Sequence, residues 1–238
     1  WIENAGIGSN ARTSHIIYPA DGRLPELAEG AIRQRGVYGG ATTGDSRPVR
    51  LSAGGIGTDG PEDRGLSERC LVGFNAGPPF FPSLYNNNVQ IFQSKNHAVF
   101  LTEMIHDARI VQIFESAADQ AALDADVRLW SGDSRGHWDG DTLVVETINL
   151  HWQQAPRNAA PLTAQGKVIE RFTRYSDEQI FYEFEVTDPA YYREPWRGEI
   201  SFNATDTKPY EYACHEGNYG MIGILAGARK LEQLESEQ

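Results

Sequence analysis

From Val89 to Asn203 the chain returns again and again to one pattern. Short runs alternate apolar and polar residues, and each run ends in a few turn-forming residues. A period of two puts every second side chain on one face, which specifies strands rather than helices. In the run Glu178–Thr187, for example, Ile180, Tyr182, Phe184 and Val186 share one face while Glu183 and Glu185 share the other. The runs Val89–Gln93, His97–Ile105, Arg109–Phe114, Asp141–Ile148, Lys167–Tyr175, Arg197–Asn203 and Tyr210–Cys214 read the same way. Ser94-Lys95-Asn96, Gly140-Asp141 and Ser176-Asp177 supply hairpin turns between them. About eight or nine short strands joined by hairpins point to an all-β antiparallel barrel or sandwich, and a barrel of that size holds one small ligand.

The flanks differ. Residues 1–83 are rich in Gly, Pro and Arg and read as a wrap of loops, with a short helix over Leu24–Arg35 and a long loop over residues 39–66. Ser116–Asp126 reads as a helical turn, and Met221–Glu235 as a helix with Ile222, Leu225, Leu231 and Leu234 along one stripe. One domain over residues 1–238 is expected: the loop-rich wrap to residue 83, the barrel over 84–219 and the helix over 220–238.

Charge narrows the partners. A net charge of -12 argues against nucleic acid, because phosphate binding needs a surplus of Lys and Arg, and equally against a basic membrane patch. No run of 18 apolar residues occurs, so no membrane insertion is expected. The chain opens at Trp1 without a Met or a signal peptide, as a mature or trimmed form would. Cys70 and Cys214 lack metal-type spacing and suit either one disulfide or two buried thiols.

Ionisable residues inside strand-like runs carry the functional expectation, since a buried carboxylate or imidazole must find a partner or shift its pKa. By the period-two count, Glu103 shares a face with His97, Val99 and Leu101, with Arg109 on the next strand as its cation. Glu146 shares its face with Val144 and Ile148. Glu103 and Glu146 facing each other across a barrel would form an acid–base pair. His106 is the expected base or acid and Asp107 its orienter. Arg109 and Arg135 would stabilise negative charge, Tyr85 and Asn87 would position substrate, and Trp138, Trp196 and Tyr212 suggest a ring-bearing or sugar-like ligand. His215 and Glu216 reach a barrel mouth in this reading. Each residue also has a plain structural reading: a Glu–Arg pair, a solvated turn histidine, an Asn loop, an aromatic core. No nucleophile elbow, phosphate-cradling loop or dinucleotide fingerprint is present, and no cofactor is expected. No metal is expected either, although a set assembled from His106, Asp107, His215 and Glu216 stays open.

Gly132-Asp133-Ser134-Arg135-Gly136-His137-Trp138 and Ala213-Cys214-His215-Glu216-Gly217-Asn218-Tyr219-Gly220 are highly specific runs. With Thr13–Arg23, Gly60–Gly73, Tyr85–Gln90, Glu103–Ile110, the rest of Gly132–Asn149, Val168–Arg174, Pro195–Trp196 and the rest of Glu211–Arg229, they make the chain resemble a widespread family of mostly exported bacterial proteins of uncharacterised activity. The resemblance implies an all-β, lipocalin-like barrel, a signal peptide in typical members and a periplasmic or secreted location. With that location it favours a Cys70–Cys214 bridge. It carries no catalytic residues. The chain departs from the family at Ser116–Asp126, where an Ala-rich stretch replaces the usual Gly- and Pro-bearing turn.

Bases and proton donors abound and no nucleophile stands out, so cofactor-independent proton abstraction is expected, leading to elimination or isomerisation of a small polar, aromatic or sugar-like substrate. The alternatives are a hydrolase using the same carboxylates, a lipocalin-like carrier without turnover, and a structural surface protein. A homo-oligomer is compatible with all of these. Convergence of Glu103, Glu146 and His106 would favour the enzyme, and a cavity dominated by Leu, Val and Phe would favour the carrier.

Overall fold

A computed structural model describes residues 14–31, 51–52, 55–56, 60–83, 85–120, 124–151 and 161–237. Its strands are β1 (Ile16–Tyr18), β2 (Leu51–Ser52), β3 (Gly55–Ile56), β4 (Val89–Gln93), β5 (His97–Thr102), β6 (Ala108–Phe114), β7 (Asp133–Asp139), β8 (Thr142–Ile148), β9 (Lys167–Arg174), β10 (Gln179–Thr187) and β11 (Trp196–Asn203). A single long helix, α1 (Tyr219–Ser236), follows. Nine strands form one sheet in the order β1-β11-β10-β9-β8-β7-β6-β5-β4, and β2 and β3 form a separate small hairpin. The all-β body with a C-terminal helix is as expected. Every neighbouring pair in the large sheet is antiparallel except β6 and β7, which run parallel.

One set of side chains faces inward through the whole register. Phe100 lies opposite Arg109, Val111 opposite Ser134, Gly136 opposite Val145, Val145 opposite Glu170, Phe172 opposite Tyr182 and Phe184 opposite Gly198. Directly paired residues share a face, so Arg109, Glu170 and Tyr182 all point inward. The sheet is strongly curled. On a flat sheet β5 and β9 would lie roughly 19 Å apart, yet the Phe100 and Phe172 rings stack with centroids 4.6 Å apart.

Residues 60–83 form a buried plug segment whose Phe80 enters this hollow. Leu66, Cys70, Val72, Ala76 and Phe80 are buried, and Phe80 packs against Phe100, Tyr182 and Phe202 at centroid distances of 5.7–5.8 Å. Gly73 permits one close approach, because a Cβ there would lie 3.0 Å from Met104 O. The loop expected over residues 39–66 is therefore, from Gly60 onward, a buried plug; its earlier part is described only at 51–52 and 55–56.

Several boundaries differ from the sequence reading. Residues 24–31 are not helical: Ala28 N–H donates to Tyr191 O and Arg193 N–H to Glu26 O, so this backbone pairs with a distant loop instead of with itself. The rest of that expected helix, residues 32–35, lies outside the described residues. The Ser116–Asp126 turn shortens to a 3-10 turn at Ala117–Asp119, with 121–123 outside the described residues. Tyr210–Cys214 is not a strand, and the run Asp133–Asp139 is one. Cys70 and Cys214 form a disulfide with Cα atoms 5.7 Å apart. It ties the plug to the segment after β11. Helix α1 begins where Asn218 Oδ1 accepts from Met221 N–H, and no described helix is long and apolar enough to cross a membrane.

Candidate functional site

Alternation of Val168, Glu170 and Phe172 puts a carboxylate among core side chains in β9, where Glu170 is fully buried. Its partner comes from β6, three strands away in the sheet. Both Nη atoms of Arg109 bond the Glu170 carboxylate, with Nη2 at 2.9 Å from Oε1. Tyr182 Oη donates to Glu170 Oε1 at 2.8 Å and accepts from Phe80 N–H at 3.0 Å. The Arg109 guanidinium lies against the Phe80 and Phe100 rings, 4.9 and 5.1 Å from their centroids. A bidentate pair with its cation against aromatic faces is the favourable geometry for buried opposite charges. Burial, reinforced by the Glu170 carboxylate and opposed by Arg109, pushes the Tyr182 phenol well above its ordinary value. Tyr182 is thus a fixed hydrogen-bond donor.

The end of the hollow opens into a cavity of about 1790 Å³. Phe80, Phe100, Phe172 and Phe202 line it with Val89, Ile91, Ala98, Leu143, Ile180 and Ile200. Polar groups enter from Asn75, the Asn86-Asn87-Asn88 loop, Gln93 and Thr102. Trp138, 41% exposed, stands near the mouth with the β7–β8 and β9–β10 turns and residues 204–209. A smaller cavity of about 230 Å³ lies against the outer face of β4 and β5, lined by Gln90, Leu101, Glu103, His106, Tyr210 and Glu211, among others.

The expected residues divide among these places. Asn87 and Trp138 line the large cavity, and Glu103 and His106 line the small one. Asn87 is spent on the loop itself, bonding Ser83 N–H through Oδ1 and Ser83 O through Nδ2. Glu103 does not pair with Arg109; its Oε2 accepts from Asn88 Nδ2 at 2.9 Å. The His97–Val99–Leu101 face is the outer one, where Glu103 joins Leu101 in lining the small cavity, and the inward face of β5 is Ala98, Phe100 and Thr102. Glu146 points outward and lies 3.4 Å from Lys167, both side chains about two-fifths exposed. Glu103 and Glu146 therefore do not face each other.

His106 Nε2 accepts from Tyr212 N–H at 2.9 Å, whereas Asp107 Oδ2 accepts from Gly73 N–H. Arg135 is on the outer face with Asp133, 2.9 Å away, and packs over Phe114. Trp196 is fully buried in the core, Tyr85 packs edge-on against Phe74, and His215 and Glu216 are exposed beyond the disulfide. Burial, with Tyr85 adding to it, raises the Tyr212 phenol. Among the described residues no group of three or more His, Cys, Asp or Glu side chains is placed to hold a metal.

Sequence reading missed Glu170 and Tyr182 as a site. The signal was there: the rule that singled out Glu103 applies with better reason to Val168-x-Glu170-x-Phe172. Comparison of the chain with protein-family models, curated proteins and solved structures returned no match.

Proposed function

We propose that this chain binds a small ring-bearing molecule in the large cavity, without covalent chemistry. One observation supports this above all: phenylalanines from the plug and from β5, β9 and β11 converge on one hollow, and the carboxylates expected to be catalytic do not. Aromatic walls suit a ligand held by ring contacts. The lipocalin-like barrel belongs to the same proposal, since a curled nine-stranded sheet around one ligand hollow is how such carriers are built. An exported location fits the Cys70–Cys214 disulfide, because such bonds persist in oxidising compartments.

The test is a titration with N-phenyl-1-naphthylamine, an uncharged fluorescent ring compound. Saturable one-to-one binding is expected, weakened at least about tenfold in Ile91→Trp, which fills the cavity from an exposed edge strand. Absent or unsaturable binding, or equal binding by a folded Ile91→Trp, refutes the reading.

A second reading, acid–base turnover, rests on Glu103 and His106 lining the small cavity together. In heavy water, a bound carbonyl compound would take up deuterium at its α-carbon, and Glu103→Gln and His106→Ala would abolish this. Unchanged uptake in both variants removes the proposal.

A further inference from the structure

We infer that the ligand of the large cavity is uncharged or cationic and that the mouth selects against anions; this rests on the binding reading above. Aromatic faces carry partial negative charge and favour a cation or the edge of another ring. The cation nearest the aromatic walls, Arg109, is already occupied, with both Nη atoms bound to Glu170 and the guanidinium held against the Phe80 and Phe100 rings. An anionic head group entering there would meet a charge pair that is closed to it.

The mouth adds repulsion. Asp141 in the β7–β8 turn, Asp177 and Glu178 in the β9–β10 turn and Asp206 after β11 stand against only Arg174 and Lys208. Arg174 is itself drawn to Asp177 at 2.9 Å. The chain as a whole, at a net charge of -12, acts in the same direction at long range. Two excess negative charges at about 10 Å in water change the affinity of a singly charged ligand by about threefold to fivefold. An ammonium and a sulfonate of one scaffold should therefore differ by about tenfold or more.

The experiment compares three naphthalene probes on the whole chain: N-phenyl-1-naphthylamine, its anionic relative 1-anilinonaphthalene-8-sulfonate, and a naphthylmethyl-trimethylammonium salt. Binding is followed by probe fluorescence at about 20 mM and about 300 mM salt, which moves the screening length from roughly 20 Å to roughly 6 Å. The expected order at low salt is ammonium at least as tight as neutral, with the sulfonate weakest, and the spread should shrink at high salt. Asp177→Asn with Glu178→Gln, both in an exposed turn, should narrow the spread between the sulfonate and the ammonium. Neutral binding with equal or tighter sulfonate binding overturns this inference and leaves the binding reading standing. Failure of all three probes overturns both.

Discussion

Replacing Glu170 by Gln isolates the contribution of the buried ion pair. The side chain keeps its shape and one acceptor oxygen but loses the charge that compensates Arg109, itself only 4% exposed. Arg109 cannot shed its proton and has no water to turn to, so the variant holds an uncompensated buried cation. Breaking a buried pair from one side costs about 3–5 kcal/mol. Against a total stability of about 5–15 kcal/mol this is a large fraction, equivalent to a fall in Tm of about 6–20 °C for a chain of this size. Tyr182→Phe should cost less, about 1–3 kcal/mol, because it removes one donor from Glu170 and leaves the Phe80 N–H without its acceptor. Replacing both charges, as Arg109→Met with Glu170→Leu, should recover most of the loss, since the desolvation penalty disappears with the pair. Urea unfolding followed by tryptophan fluorescence measures all three. A Glu170→Gln variant within about 1 kcal/mol of the parent, or a double replacement no better than the single one, would show that this reasoning about the pair is wrong.

The disulfide joins residues 144 apart in sequence. The chain-entropy estimate for so long a loop is about 5 kcal/mol, so Cys70→Ser should unfold at markedly lower urea, and thiol titration of the unreduced, denatured parent should find no free thiol. Alkaline pH should weaken the fold through Tyr182 and Tyr192, whose phenols burial holds above the ordinary value. Both bind their protons more tightly folded than unfolded, so their contribution is intact below about pH 10 and is lost as pH rises above it, by up to about 1.4 kcal/mol per pH unit for each. Tyr182→Phe should show a slope smaller by one proton in unfolding titrations. Glu146→Gln should change stability by less than about 0.5 kcal/mol, because its contact with Lys167 is largely solvated; a larger loss in the same urea assay would contradict its placement on the outer face.

The strands were legible because period-two alternation and short turns are local signals. The β9–β10 hairpin and the Gly140 turn, with its positive φ, fall where the residues put them. Which face of a strand points inward was less legible. In β5 both faces carry apolar residues, and only pairing with Arg109 and Val111 shows that Ala98 and Phe100 are inside. Glu103 misled because its face of β5 is the outer one while Arg109 points inward; the expected strand also ends early, with Ile105 and His106 both at positive φ. Tyr210–Cys214 has the composition of a strand, but Tyr212 N–H meets an imidazole instead of a neighbouring strand. The Arg109–Glu170 pair joins residues 61 apart and depends on the curl of the sheet, which no local window contains.

The lone parallel junction between β6 and β7 divides the large sheet into two meanders, β4–β6 and β7–β11, in which each strand pairs with its neighbour along the chain, with β1 added beside β11. The connection from Glu115 to Gly132 at this junction is as long as that from Asn149 to Gly166 between β8 and β9, so both must close before their strands pair. Besides the Arg109 clamp and the Phe100–Phe172 stack, the β6–β7 junction is where one meander holds the other. The hollow lies between the two halves, so its width is set jointly by this register, the Arg109–Glu170 bond and the Phe100–Phe172 stack.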